Sequence, residues 1–260
     1  MNLHANLRTL TRATVQKMID RSIEPLMMLT YGVEWDEALV HPALVRIGNM
    51  DMHRTLPIQS RMVRCLLSDT GQETLLHPNN SLLLATGGAA DLSGATGQWM
   101  VRIPEFWYRA ESVGSIRRIR LSEYPLAGYK HFRQAYVSAA EACLHRPTNR
   151  LSAVVNTHVD YRGGNNNAAW DAQANTLLGM PVTNACRPTM RTWARNRGAG
   201  WQILPYHVYN AIRILYFVEY ANLNSQLAFN AALTADGYRQ GGLGDGVTAV
   251  NGTNWGTFNS

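Results

Sequence analysis

The chain reads as an α+β protein with few long elements and much ordered loop, and three observations predict it. Short apolar runs between residues 43 and 124 are punctuated by Gly, Pro, Asn and Asp, the mark of antiparallel strands joined by turns. Two later stretches, 187–197 and 205–221, follow helical spacing instead. Between and after them lie Gly- and Asn-rich segments with no period. At 260 residues the chain is long enough for one large domain, or a medium domain with an appendage, without covalent staples.

Taken in order, residues 5–22 place Leu7, Leu10, Thr14, Val15, Met18 and Ile19 on one helical face. This predicts an amphipathic helix within a leading segment, 1–29, ahead of a main domain at 30–260. Such a helix packs on a partner, on copies of itself, or on its own domain, and one of about 16 residues is marginal alone. "MVRCLLSDTGQETLLHP" (62–78) predicts a hairpin around Asp69-Thr70-Gly71. "QWMVRIPEFWYRAESVGSIRRIRLSEYP" (98–125) predicts a second, with strands over 98–111 and 115–123 flanking Val113-Gly114. In its first strand Trp99, Val101 and Ile103 alternate with Met100 and Arg102, as in a half-buried strand.

Residues 140–182 read as irregular, and "DYRGGNNNAAWDAQANTLLGMP" (160–181) as a long surface loop. Residues 187–197 predict a short helix with Pro188 in its first turn. In the helix expected over 205–221, Val208, Ala211, Ile212, Leu215 and Val218 share a buried side. Tyr209, Ile214, Tyr216 and Phe217 make the other side apolar too, which predicts a helix covered nearly all round. From Leu233 onward the chain is Gly-rich and polar, with Trp255 and Phe258 as anchors.

The formal charge is +6, and Lys17 and Lys130 are the only lysines among 24 basic residues. Arginine favours planar, bidentate contacts. The arginines are scattered, and their densest cluster, "SIRRIR" (115–120), reads as a strand at a sheet rim, so a nucleic-acid partner is not indicated. Cys65, Cys143 and Cys186 are far apart, odd in number and without a Cys-x-x-Cys pair, so they read as small core residues. No apolar run reaches the roughly 18 residues of a membrane span, and the first residues carry no apolar core of a secretory signal.

The segments 101–137 and 177–229 resemble a domain found in bacteriophage tail-fibre and other virion proteins. That domain has a C-type-lectin-like fold, in the broad group that also holds formylglycine-generating enzymes and retroelement variable proteins. The matching positions are Arg191, Ala194, Arg197, Gly198 and Trp201, then Leu204-Pro205 and Glu219-Tyr220. The segment 233–259 resembles the form found in phages of gut Bacteroidetes, and that form implies further residues after this point. The resemblance implies a small twisted antiparallel sheet, two main helices, much ordered loop and a loop-borne binding face.

The chemistry that the pattern offers is binding rather than catalysis. The paired late cysteines of formylglycine-generating enzymes are missing, as are the Glu-Pro-Asn, Gln-Pro-Asp and Trp-Asn-Asp tripeptides of calcium-dependent lectins. No cofactor is called for; calcium could draw only on Asp160, Asn165, Asn166, Asn167 and Asp171, residues that a turn-rich loop uses anyway. The histidines show no helical metal pair, and Gly-x-Ser-x-Gly is absent.

Glu219, in an apolar helix, needs a partner to stay charged, and Arg191, Arg195, Arg197 or a backbone donor would make it a scaffold anchor together with Trp201. The candidate ligand-binding residues are Tyr161, Asn165, Asn167, Trp170, Tyr238, Arg239, Asn254 and Trp255, aromatic and polar groups in unpatterned loops. Each aromatic either projects outward to a ligand or anchors its loop inward. The expectation is a non-enzymatic virion protein, a tail- or head-fibre component that self-associates, as a trimer for example, and meets a host-surface glycan or other virion subunits. A ligand-free adaptor and an enzyme on the same fold are the alternatives.

Overall fold

The computed structural model describes residues 28–156, 158–161, 182 and 185–224. The leading helix expected over 5–22 and the Gly-rich segment from Leu233 lie outside them. The described residues form an α+β fold whose larger sheets are antiparallel throughout. By backbone contact the chain falls into two compact units: Met1–Ser60 with Glu105–Arg133 and Arg213–Leu223, and Arg61–Pro104 with Gln134–Ile212 and Asn224–Ser260. Among the described residues no helix is long and apolar enough to cross a membrane.

The first unit is built on β1 (Tyr31–Asp36), β2 (Val45–Gly48), β7 (Phe106–Val113), β8 (Ile116–Ser122) and β9 (Lys130–Phe132), in the order β2-β1-β8-β7-β9. Alternation sorts its two faces. Tyr31 lies opposite Leu121 and Val33 opposite Ile119, and all four are buried. The other face is a ladder of charge: Arg118 Nη2 donates to Glu34 Oε2 at 2.7 Å, while Arg120 and Arg109 hold the two oxygens of Glu111 at 2.5 and 2.8 Å. The cluster 115–120, expected at a sheet rim, is therefore the central strand. Its arginines are accommodated there because each reaches a carboxylate: Arg118 lies across from Glu34 and Glu111, Arg120 meets Glu111 on the diagonal, and Arg117 pairs with Glu37 just past β1.

Short helix α1 (Met50–Thr55) opens on Asn49, whose Oδ1 accepts from the Asp51 amide at 2.9 Å. Behind the apolar face, the Tyr31 hydroxyl donates to Gln59 Oε1 at 2.6 Å, and Gln59 Nε2 donates to the Leu215 carbonyl at 3.2 Å. This buried relay satisfies polar groups that burial would otherwise penalise.

The second unit contains β3 (Val63–Leu67), β4 (Glu73–His77), β5 (Asn80–Leu84), β6 (Gln98–Ile103) and β10 (Ala135–Ser138), ordered β10-β6-β3-β4-β5. A separate ribbon pairs β11 (Cys143–His145) with β12 (Arg150–Ser152), where the sequence read only irregular chain. Both sheet faces are covered. Cys65, Leu67, Met100 and Ala153 cluster with Tyr136 and Trp201, and Leu66, Leu76 and Leu92 cluster with Leu84, Ala90 and Trp99.

The hairpin over 62–78 forms as expected, with its turn at Ser68–Gln72. The long strand expected over 98–111 is instead two strands, β6 and β7, in different sheets. Pro104 has no amide to donate to a ladder, which ends β6 at Ile103. Helix α2 (Arg187–Arg195) starts with proline in its first turn, and Cys186, expected in a core, is exposed just before it, within 3.1 Å of Thr189 Oγ1. Cys65 and Cys143 are buried.

Helix α3 (Tyr206–Tyr220) is helical where expected but is not covered all round. Val208, Ala211, Ile214, Leu215 and Val218 are buried, whereas Tyr206, Tyr209 and Tyr220 are 73%, 51% and 45% exposed. A tyrosine is apolar at the ring and wet at the hydroxyl, so a row of them forms an outer face that a count of apolar residues mistakes for an inner one.

Gly32 in β1 sits so close to β8 that an added Cβ would lie 1.9 Å from the Ile119 carbonyl oxygen. Backbone cannot yield there without breaking the ladder. Gly32→Ala is expected to cost about 3 kcal/mol, read as a lower urea midpoint by circular dichroism; an unchanged midpoint contradicts the β1–β8 register.

Candidate functional site

In the second unit, five segments remote in sequence meet around one cleft of about 310 Å³. They are the β3–β4 turn at Ser68-Asp69, the loop Gly94–Gln98, the turn from His145 to Arg150, Tyr161, and Arg197 just after α2. Each arrives by local chemistry. Ser68 Oγ caps the turn by accepting from the Gln72 amide at 2.9 Å, and Gly71 takes φ +84°, so Asp69 stands at the tip of the turn. Asn149 adopts a left-handed φ of 49° and hands the chain into β12 at Arg150.

Gly94, at φ +94°, brings its loop against Val154 and Tyr161: a Cβ there would lie 2.7 Å from Val154 Cγ1 and 3.4 Å from the Tyr161 hydroxyl.

Arg197 is the hub. Its side chain is 7% exposed, and Nη1 donates to Asp69 Oδ1 at 2.6 Å while Nη2 donates to Ser152 Oγ at 2.6 Å. Nε donates to the Leu151 carbonyl, and the guanidinium lies 5.5 Å from the centre of the Trp201 ring. Trp201 Nε1 returns a bond to the Asp69 carbonyl at 3.3 Å. One aspartate thus engages both members of the Arg197–Trp201 pair. A buried guanidinium is tolerable only under such full pairing.

Asp69 Oδ2 also meets Arg150 Nη1, at the longer distance of 3.2 Å and with the Arg150 side chain 41% exposed. Gln98, 3% exposed, accepts the Ala153 amide on Oε1 at 2.9 Å, which fixes its amide group with Nε2 on the Gly94 side. The His145 and Tyr161 rings lie 4.7 Å apart at 41°, and His145 Nδ1 is 2.6 Å from Thr148 Oγ1. Burial lowers the His145 pKa, Asp160 opposes it, and Arg197, Arg150 and His158 add to the lowering. Burial raises the Tyr161 phenol above its ordinary value. It also pushes the Cys143 thiol up to about 11, which keeps it protonated and unreactive. Ser152 is 1% exposed and its hydroxyl is held by Arg197.

Of the residues singled out from sequence, Tyr161 lines the cleft, and Arg197 and Trp201 frame it. Asn165, Asn167, Trp170, Tyr238, Arg239, Asn254 and Trp255 lie outside the described residues. So do all the candidate calcium residues except Asp160, whose Oδ2 lies 3.0 Å from His158 Nδ1. Among the described residues no group of three metal-ligating side chains occurs.

Arg191 is exposed on α2. The guanidinium of Arg197, expected to neutralise Glu219, is committed to Asp69. Glu219 belongs to the first unit, where its carbonyl accepts from Arg46 Nη2 at 2.8 Å. Burial raises its carboxyl pKa, and a bond from Tyr220 partly offsets this. Asp69, Gln98, His145 and Arg150 had no distinguishing sequence signal: each reads as an ordinary turn or strand residue.

Comparison of the chain with protein-family models, with curated proteins and with solved structures finds no match.

His145 is expected to titrate below the 6.5 of an unperturbed imidazole, and Asp160→Asn to lower it further. A folded-state value below the unfolded one means that the unfolded chain takes up the proton first. This contribution to stability is therefore full above pH 6.5 and falls as pH drops toward the folded value. An NMR titration of the imidazole checks both shifts; a value at or above 6.5 contradicts the burial described.

Proposed function

We propose that the chain is a non-enzymatic bacteriophage virion protein, a tail- or head-fibre component with a C-type-lectin-like domain, that attaches to a host-surface glycan through this cleft. The observation carrying the reading is convergence. Five remote segments meet at one opening where an aromatic pair, His145 and Tyr161, stands beside polar side chains on a rigid Asp69–Arg197–Trp201 frame. Ring faces for stacking next to fixed polar groups suit a saccharide.

Binding is favoured over catalysis by what the polar groups already do. Ser152 is engaged by Arg197, and burial raises the pKa of both the Cys65 and the Cys143 thiols. The virion assignment rests on the resemblance, whose run Arg197-Gly198, Trp201 and Leu204-Pro205 leads into α3. In this reading the leading segment, 1–29, serves self-association, as a trimer, and contacts with other virion subunits. The exposed tyrosines of α3 favour a second reading, an adaptor that touches only such subunits.

A glycan array probed with the full chain and with Tyr161→Ala tests the proposal. The expected result is retention of at least one glycan, weakened roughly tenfold by the substitution. No retained glycan, or binding indifferent to Tyr161, rejects the cleft as the glycan site and leaves the adaptor.

A further inference from the structure

Most of the side-chain groups left uncommitted in the cleft can donate a hydrogen bond. Asp69, its charged acceptor, already carries an arginine on each oxygen: Oδ1 takes Arg197 and Oδ2 takes Arg150. Arg197 is engaged by Asp69, Ser152 and Leu151. Arg150 is different. Among the described residues it makes one bond, from Nη1, and is 41% exposed, so its other N–H groups have no described acceptor. Gln98 is 3% exposed, yet only its Oε1 has a described bond, to the Ala153 amide; Nε2 has no described acceptor. The Tyr161 hydroxyl, next to Gly94, has no described partner either. What remains is two N–H donors, one of them cationic, a hydroxyl able to donate, and His145 Nε2, whose role is set by the tautomer.

The charge agrees with the donor count. Among the residues lining the cleft two guanidinium groups stand against one carboxylate, while Asp160 acts on His145 and Tyr161 from beside it. Neutral sugar hydroxyls ask for donors and acceptors in similar measure, whereas a carboxylate or sulfate asks only for donors. A metal cation would meet two guanidinium groups and a carboxylate already paired with both.

We propose that the cleft is an anion-selecting subsite that seats the carboxylate or sulfate of an acidic sugar on Arg150, Gln98 Nε2 and the Tyr161 hydroxyl. A volume of about 310 Å³ fits one such sugar residue. This rests on the saccharide reading of the same cleft and narrows it to a charged class. The charge-assisted bond from Arg150 makes the larger contribution, because an ionised partner strengthens it and the cleft shields it in part from water.

Calorimetric titration of the full chain with methyl glucuronide, methyl glucoside and inorganic sulfate, at matched ionic strength, tests it. Circular dichroism confirms that each variant remains folded. Methyl glucuronide should bind roughly ten- to hundredfold more tightly than methyl glucoside. Arg150→Gln should bring the two sugars level. Tyr161→Phe, which removes only the hydroxyl, should weaken the glucuronide more than the glucoside, while Arg54→Gln, in the other unit, should change neither.

If the glucoside binds as tightly as the glucuronide, the anion seat is wrong while the saccharide site survives. Should sulfate bind as tightly as the glucuronide and the glucoside not at all, the anion seat stands and the saccharide reading falls. Absence of binding by all three probes overturns the proposal.

Discussion

The cleft depends on one ion pair. Asp69 and Arg197 are 128 residues apart in sequence and 2.6 Å apart in space. Around that bond the chain assembles a small closed circuit: the aspartate carbonyl holds the Trp201 indole, the indole lies beside the guanidinium, and the guanidinium ties down Leu151 and Ser152 of the β11–β12 ribbon. Trp201 also packs on Cys65, Leu67, Met100 and Ala153, so the polar circuit is anchored to an apolar cluster. A nearly buried guanidinium without its carboxylate would carry an uncompensated charge, which is among the costliest defects in a protein interior. The pair is better understood as a device that fixes loop geometry than as a net source of stability.

Rigidity of this kind is what the proposed loop-built recognition site requires. Loops left to themselves exchange among conformers and lose affinity in being ordered at the moment of binding. Here Arg197 engages β12 directly, and Gln98 fastens the glycine-rich wall to Ala153. The side chains with N–H or O–H groups to spare, Arg150 and Tyr161 above all, then stand on that frame. The other unit meets its own charges differently. Its arginines run as a cross-strand ladder with Glu34 and Glu111 on one sheet face, a pattern that balances charge across the strands.

Much of the scaffold was legible in the sequence because it follows local rules. The Asp-Thr-Gly turn, the proline at the start of α2 and the spacing of Val208, Ala211, Leu215 and Val218 each encode a structure within a few residues. Errors arose where a local rule met a neighbour. Pro104 ends a strand that apolar alternation would carry on, and tyrosines counted as core form the outer face of α3. Arginines that suggested a rim lie in a central strand because Glu34 and Glu111 on its two neighbouring strands receive Arg118 and Arg120, and Glu37 just past β1 receives Arg117. The β11–β12 ribbon escaped notice since three-residue strands have no room to show a period.

The candidate site was legible only in part, for a related reason. Arg197, Trp201 and Tyr161 stand out by residue type and setting, but the groups that complete the cleft acquire meaning only through tertiary convergence. Asp69 looks like any turn aspartate until Arg197 reaches it, and Glu219 drew attention as the one acid in an apolar helix although Arg197 serves another carboxylate. The account is tested most directly by a double-mutant cycle on Asp69→Ala and Arg197→Met, followed by urea denaturation. A coupling of about 2–3 kcal/mol is expected, against less than about 1 kcal/mol for the more exposed Asp69–Arg150 pair. Additivity of the Asp69 and Arg197 substitutions to within about 0.5 kcal/mol would contradict the claim that this pair holds the cleft together.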